Sequence, residues 1–206
     1  MNLKYNYWVF PEAIPHNFCD QLIQYGEDQL NPNTARTENF QDKKNLNKKD
    51  LLELHELRNS SIAWIDESWI WKMVQPFIKE ANSLANWNFQ LDFSEPAQWT
   101  KYSRDQHYSW HTDQFTLPYN KPRTKSHGMI RKLSMTLALE DGDTFDGGDL
   151  QFRFLERTRI KQETVNVARK KGTLVVFPSF VWHRVTPVTK GTRYSLVVWT
   201  LGNPYI

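Results

Sequence analysis

The periodicity of this 206-residue chain predicts a mainly β protein of α+β type, an antiparallel jelly roll buttressed by N-terminal helices. Strand-type runs crowd residues 97–201, and turn-formers rather than helices separate them, which favours a sandwich or barrel over a parallel sheet. Helical spacing is confined to residues 1–95, the expected support for that β core. The length fits one domain over 1–206. Apolar residues make up 39% and aromatic residues 14%, with nine Trp, enough for one core built from large rings.

Residues 7–10 (Tyr7-Trp8-Val9-Phe10) read as a short strand. Pro15 opens a helix to about Glu27, with Phe18, Leu22 and Tyr25 at helical spacing. Residues 31–50 turn to Asn, Asp, Lys and Thr with few apolar anchors, the composition of a surface loop or a mobile lid. A short helix over 51–57 and a strand over 61–65 follow. The longest helix is expected from Glu67 to Asn86, buried along Trp69, Met73, Phe77, Ile78 and Leu84, with Pro76 threatening a kink or break. Strands are then expected over 88–93, 97–103, 107–111, 129–139, 149–154, 163–167, 173–177, 181–187 and 192–201. Asp146-Gly147-Gly148, Lys171-Gly172 and Lys190-Gly191 supply turns.

Composition excludes several classes. No run reaches the roughly 18–20 apolar residues of a membrane span. The first ten residues lack the apolar stretch and cleavage site of a secretory signal. Cys19 is the single cysteine, so neither a disulfide framework nor a cysteine-built zinc site is available, and a reducing, cytoplasmic setting is expected. A net charge of +3 is too small to argue for nucleic acid.

Of six histidines (His16, His55, His107, His111, His127 and His183), two have chemically suggestive neighbours. The strand period of two places His111 and Asp113 on one face, two legs of a metal site. Alone that pair is a weak signal, since a solvated strand end carries it more often. His183, at the end of an apolar strand, reads either as a core-edge histidine satisfied by a carbonyl or as a third ligand that completes two His and one carboxylate with open positions. Such a set also suits catalytic zinc. Arg193 follows ten residues later, and alternation groups it with Ser195, Val197 and Trp199. If that face points inward, the guanidinium needs an anion, and a ligand carboxylate suits its planar fork best.

Residues of about 98–201 resemble the catalytic core of the 2-oxoglutarate and Fe(II)-dependent dioxygenases, in the prolyl 4-hydroxylase-like branch that includes PKHD-type hydroxylases. The matching stretches are Trp110-His111-Thr112-Asp113, Leu133 through Glu140, Phe145 through Leu150, and above all Gly172 through Arg193. Arg58-Asn59-Ser60-Ser61 and the helix after it match more loosely. The resemblance implies a double-stranded β-helix (cupin-like), with Fe(II) on His111, Asp113 and His183. It further implies that Arg193 grips the distal carboxylate of 2-oxoglutarate, with Tyr102 and Ser195 as further cosubstrate contacts, and that ascorbate serves as reductant. The family tyrosine that shares that carboxylate is missing, with Ala138 or a neighbour in its place, and Arg193 stands where collagen-type enzymes use Lys.

The activity implied is O2-dependent hydroxylation with release of succinate and CO2. Trp110, Trp182 and Trp199 are candidate walls of the substrate pocket, although rings at such spacing are more often plain core. Residues 31–50 and the basic stretch within 116–127 flank the expected mouth, where they could clasp an extended peptide. A proline-containing protein or peptide is therefore the first substrate expectation, and free proline or another small molecule the second. A nucleic-acid demethylase on the same scaffold commonly carries a second Arg where Trp199 stands. A silent cupin-like metal sensor would not need Arg193, and a zinc hydrolase would need a general-base carboxylate that no motif supplies.

Overall fold

Strand β1 (Trp8–Phe10) and helix α1 (His16–Asp28) open the fold in the computed structural model, which describes residues 3–29, 47–156 and 158–205. Most of the segment expected as a polar loop or lid, 31–46, lies outside the described residues. Its end does not stay a loop. Helix α2 (Lys48–Leu57) starts there because Asn47 accepts from the Asp50 amide at 2.9 Å while Asp50 accepts from the Asn47 amide, a reciprocal cap. Strands β2 (Arg58–Asn59) and β3 (Ser61–Ile65) and helix α3 (Ser68–Leu84) follow.

Helix α3 runs through Pro76 unbroken. Pro76 and Lys72, whose carbonyl loses its usual donor, are both on the exposed side, where the unpaired carbonyl is not sealed in the core. The buried stripe is Ile70, Val74, Ile78 and Ala81, with Trp69, Met73 and Phe77 flanking it and Leu84 exposed. That is one step round from the expected stripe. Helices α1 and α3 pack through these side chains, with Phe18, Cys19 and Leu22, on the sheet that carries Trp99, Leu137, Val176, Leu196 and Val198. The approach is close at Gly26, where a Cβ would lie 2.3 Å from the Trp99 ring.

Eleven strands complete the chain: β4 (Phe93–Ser94), β5 (Ala97–Tyr102), β6 (His107–His111), β7 (Ile130–Ala138), β8 (Asp146–Gly147), β9 (Leu150–Glu156), β10 (Arg159–Thr164), β11 (Leu174–Pro178), β12 (Trp182–Val185), β13 (Val188–Lys190) and β14 (Arg193–Gly202). They form two antiparallel sheets and a small ribbon. The major sheet runs β1-β11-β7-β14-β5-β3, with β4 also on β14, and the minor sheet runs β10-β9-β12-β6-β2. The β13-β8 pair is separate. This is a jelly roll with helices on the outer face of the major sheet. Its inner face meets the minor sheet through Leu150, Phe152, Val175 and Phe177.

Three strand expectations shift. Residues 88–92 are not a strand, because the Asn82 side chain brackets Phe89 by hydrogen bonds to its amide and carbonyl, replacing a ladder partner. The strand placed at 163–167 lies at Arg159–Thr164, a largely exposed ribbon strand without a hydrophobic signature. Residues 166–169 instead make a 3-10 turn that buries Ala168. The run 181–187 splits into β12 and a loop leading to β13. Among the described residues no helix is long and apolar enough to cross a membrane.

Candidate active site

His111 and His183 are directly opposed partners across β6 and β12. A bulge sits beside them, with three positions of β6 set against two of β12, so that Tyr108 and His111 both face the interior. Each imidazole donates Nδ1–H to a backbone carbonyl, His111 to Ser109 at 2.8 Å and His183 to Val181 at 3.0 Å. A carbonyl only accepts, so the lone pair of each neutral ring lies on Nε2. Both Nε2 atoms meet Asp113, His111 at 3.6 Å from Oδ1 and His183 at 3.4 Å from Oδ2.

Asp113 lies two residues past the end of β6 and is held there by its backbone. The buried turn after β11 lends the Ser179 carbonyl to the amides of Asp113 and Gln114, both at 2.9 Å, while Ser179 is tied to Ser134 by its hydroxyl. Burial by itself would raise the Asp113 carboxyl, but His183, His111 and Arg131 outweigh it and hold the group ionised well below the usual carboxylate range. Burial and His111 push His183 down to about 4 against the pull of Asp113, so it is neutral at pH 7. Asp113 Oδ2 is buried without a hydrogen-bond partner. An orphaned carboxylate oxygen facing two imidazole lone pairs, all ligand atoms within 4.8 Å of one another, is the donor set of a divalent cation.

The same cleft reaches the major sheet. It is lined by the three residues above with Tyr102, Tyr108, Arg193, Ser195 and Trp199, among others, and encloses about 440 Å³ with its mouth included. Arg193 is buried, opposite Tyr102 in register, with its guanidinium 5.5 Å from that ring. It donates to Ser195 at 3.0 Å and makes no ion pair with a carboxylate of the described residues. Burial pushes it below the ordinary arginine range, Tyr102 opposing. A tight turn packs on its stem: Gly148, at φ +64°, would place a Cβ 2.9 Å from Arg193 Cδ. Arg169 holds that turn by donating to the carbonyls of Gly142, Phe145 and Gly147 and to Asp149.

Residues 97–201 match the profile of the 2OG-Fe(II) oxygenase superfamily, about half of the chain, including His111, Asp113, His183 and Arg193. The chain belongs to that superfamily. A PKHD-type hydroxylase of Xanthomonas euvesicatoria is 34% identical over 105 residues, covering 51% of this chain and 43% of that protein. One from Shewanella sp. (strain ANA-3) is also 34% identical, over 50% of this chain and 42% of its own length. The chain thus spans less than half the length of these curated relatives. Among solved structures, a Pseudomonas putida prolyl-4-hydroxylase superimposes with a TM-score of 0.65 at 20% identity, over 96% of this chain and 92% of its own. A viral collagen prolyl hydroxylase from Paramecium Bursaria Chlorella virus-1 does so at 0.65 and 16%, over 97% of each. These likenesses show the shared jelly-roll fold.

Of the three tryptophans expected to wall the pocket, the cleft brings in Trp199 alone. Trp110 and Trp182 adjoin His111 and His183 on strands that alternate, so inward histidines send both rings to the outer face. There Trp110 lies beneath the guanidinium groups of Arg153 and Arg184, at 4.1 and 4.8 Å, and Trp182 is 50% exposed. Arg58, Tyr108 and Gln98 line the cleft without having been singled out as site residues. For Tyr108 the missing signal was the bulge, and for Arg58 the pairing of a two-residue strand with β6. The basic stretch at 121–125 is solvent-exposed, and the loop around it is anchored by Tyr119, which donates to Glu95 at 2.8 Å.

Proposed function

We propose that this protein is a 2-oxoglutarate-dependent Fe(II) hydroxylase that acts on a prolyl residue of a peptide or protein. The observation that carries the reading is that a His-Asp-His set with free ligand atoms and a buried, carboxylate-free Arg193 share one cleft. His111, Asp113 and His183 would hold the metal. Arg193, oriented by Ser195, would receive the distal carboxylate of 2-oxoglutarate, with Tyr102 alongside. When bound, the metal supplies the redox chemistry that couples O2 and 2-oxoglutarate to oxidation of a substrate carbon, with succinate and CO2 as products.

The chain's own part is binding, orientation and exclusion of water. Backbone carbonyls fix the tautomer of both imidazoles, and the Ser179 carbonyl holds the backbone amide of Asp113. Trp199 is buried with an indole N–H lacking any acceptor, and its ring lies 3.9 Å from the Arg131 guanidinium. It offers a donor to a substrate carbonyl at the cleft. For the prolyl substrate, support comes from the relatives: among the matching structures is a Trichoplax adhaerens prolyl hydroxylase in complex with a hypoxia inducible factor peptide, at a TM-score of 0.63. The test is anaerobic titration with Fe(II) and 2-oxoglutarate, then aerobic turnover, with and without ascorbate, over proline-rich peptides. Fe(II)-dependent succinate release with a gain of one oxygen on proline is expected. Succinate release with oxygen gained on another residue type would retain the enzyme class and reject the prolyl substrate.

A further inference from the structure

We infer that the substrate itself carries a carboxylate, received inside the cleft by Arg58. This rests on the hydroxylase reading above and extends it to the substrate's charge. Arg58 is 3% exposed and lines the cleft together with His111, Asp113, His183 and Arg193. Its Nε donates to Ser60 Oγ at 3.1 Å, but its Nη2 is buried with no partner. No carboxylate of the described residues forms an ion pair with it, and its guanidinium sits 4.6 Å from the Tyr108 ring, which stacks on His111 at 3.4 Å. One hydroxyl and one aromatic face do not neutralise a buried guanidinium, and leaving such a charge unpaired is costly.

The charges in the cleft identify what is missing. A divalent metal and dianionic 2-oxoglutarate cancel, and Asp113 offsets Arg193, which leaves the charge of Arg58 over. The cosubstrate's own carboxylates are spent on Arg193 and the metal in this reading. The remaining anion therefore belongs to the substrate, and the planar fork of Arg58 suits a carboxylate better than a point anion. Trp199 Nε1, the second unpaired donor on the same cleft, adds to the demand for an acceptor-rich group. The carboxylate could be the α-carboxylate of a free amino acid or chain end, or an acidic side chain beside the target.

Anaerobic calorimetry on the full chain tests this, with and without Fe(II) and 2-oxoglutarate. The probes are free L-amino acids, proline first, against their carboxamides, and a blocked Ala-Pro-Glu-Ala peptide against its Gln counterpart. We expect one acid to bind about tenfold or more tightly than its amide. Preference for free acids assigns the α-carboxylate, and preference for the Glu peptide assigns the side chain. Arg58→Gln should erase the preference and leave 2-oxoglutarate affinity unchanged. If Arg58→Gln does not fold, Arg58→Lys decides, since loss of the planar fork should reduce the preference. Equal binding of every acid and amide pair overturns the inference, as does a preference that survives both variants. A matching loss of 2-oxoglutarate affinity would assign Arg58 to the cosubstrate instead. Absence of Fe(II)-dependent 2-oxoglutarate binding would sink the hydroxylase reading separately, since the acid-amide comparison is also made on the protein alone.

Discussion

At the residue scale, ligand and support are separable. His111, Asp113 and His183 face a cleft and are tied to their strands by backbone contacts, so truncating any of them removes a donor and little core packing. His111→Ala, Asp113→Ala and His183→Ala should each abolish succinate formation in an Fe(II)-dependent assay while far-UV circular dichroism stays unchanged. Near-wild-type turnover in any one would remove that residue from the metal set. Arg193 predicts a graded pair. Arg193→Lys keeps the charge and loses the fork, so the 2-oxoglutarate KM should rise with activity remaining. Arg193→Leu removes the only cation that Ser195 orients in the cleft and should raise that KM much further, by the roughly 2–5 kcal/mol of a lost buried charge pair. An unchanged KM in the Leu variant would show that another group holds the cosubstrate.

At the element scale, short pieces of irregular backbone place these side chains. The turn at Gly148 roofs the Arg193 stem, and Arg169 ties it down through four donated hydrogen bonds. Arg169→Ala should therefore raise the 2-oxoglutarate KM with a smaller effect on kcat at saturation. Gly148→Ala should do the same, because a left-handed non-glycine residue costs about 1–2 kcal/mol and its methyl would press on Arg193. A kcat loss at unchanged KM in both would place the turn elsewhere in function. Such devices also mark where reading the sequence stops. Strict alternation sufficed for Arg193, Ser195 and Trp199 on β14, a long regular strand whose inward parity is visible in the residues themselves. It put His111 and Asp113 on a shared face. It did not reveal Tyr108, because a bulge resets the period, nor Arg58, whose two-residue strand exists only through pairing with β6. The outward turn of Trp110 and Trp182 follows from that same alternation once the histidines are fixed inward. Polar ribbon strands such as β10 have no apolar face to betray them.

At the scale of the whole molecule, the cleft lies between the two sheets, and its contents should bind them together. His111 and His183 belong to the minor sheet, whereas Arg193, Tyr102 and Ser195 belong to the major one. In the proposed reading a metal alone would be held by the minor-sheet histidines and Asp113, whereas 2-oxoglutarate would also engage Arg193 of the major sheet. Filling both positions at about 100-fold over their dissociation constants stabilises by roughly 2.7 kcal/mol each, on the order of 5–10 °C in Tm per ligand for a chain of this size. Arg193→Leu should keep the metal shift and lose the 2-oxoglutarate shift, and Asp113→Ala should lose both. In the ligand-free protein the sheets instead face each other across a neutral His183 and an ionised Asp113. Because burial holds His183 to about 4 in the folded state, the unfolded chain takes up a proton first as pH falls. Folded stability from this group is therefore complete above about pH 6.5 and declines toward pH 4. Asp113 works in the same sense at lower pH: its folded carboxyl lies below the ordinary range, so its contribution holds at neutral pH and is lost only in stronger acid. Urea unfolding of the ligand-free protein between pH 7.5 and 4.5 should show stability falling with pH, and His183→Gln should flatten that slope. A wild-type profile that His183→Gln leaves unaltered would mean that the buried imidazole is already charged in the fold, and the neutral, lone-pair-bearing ligand set would be wrong.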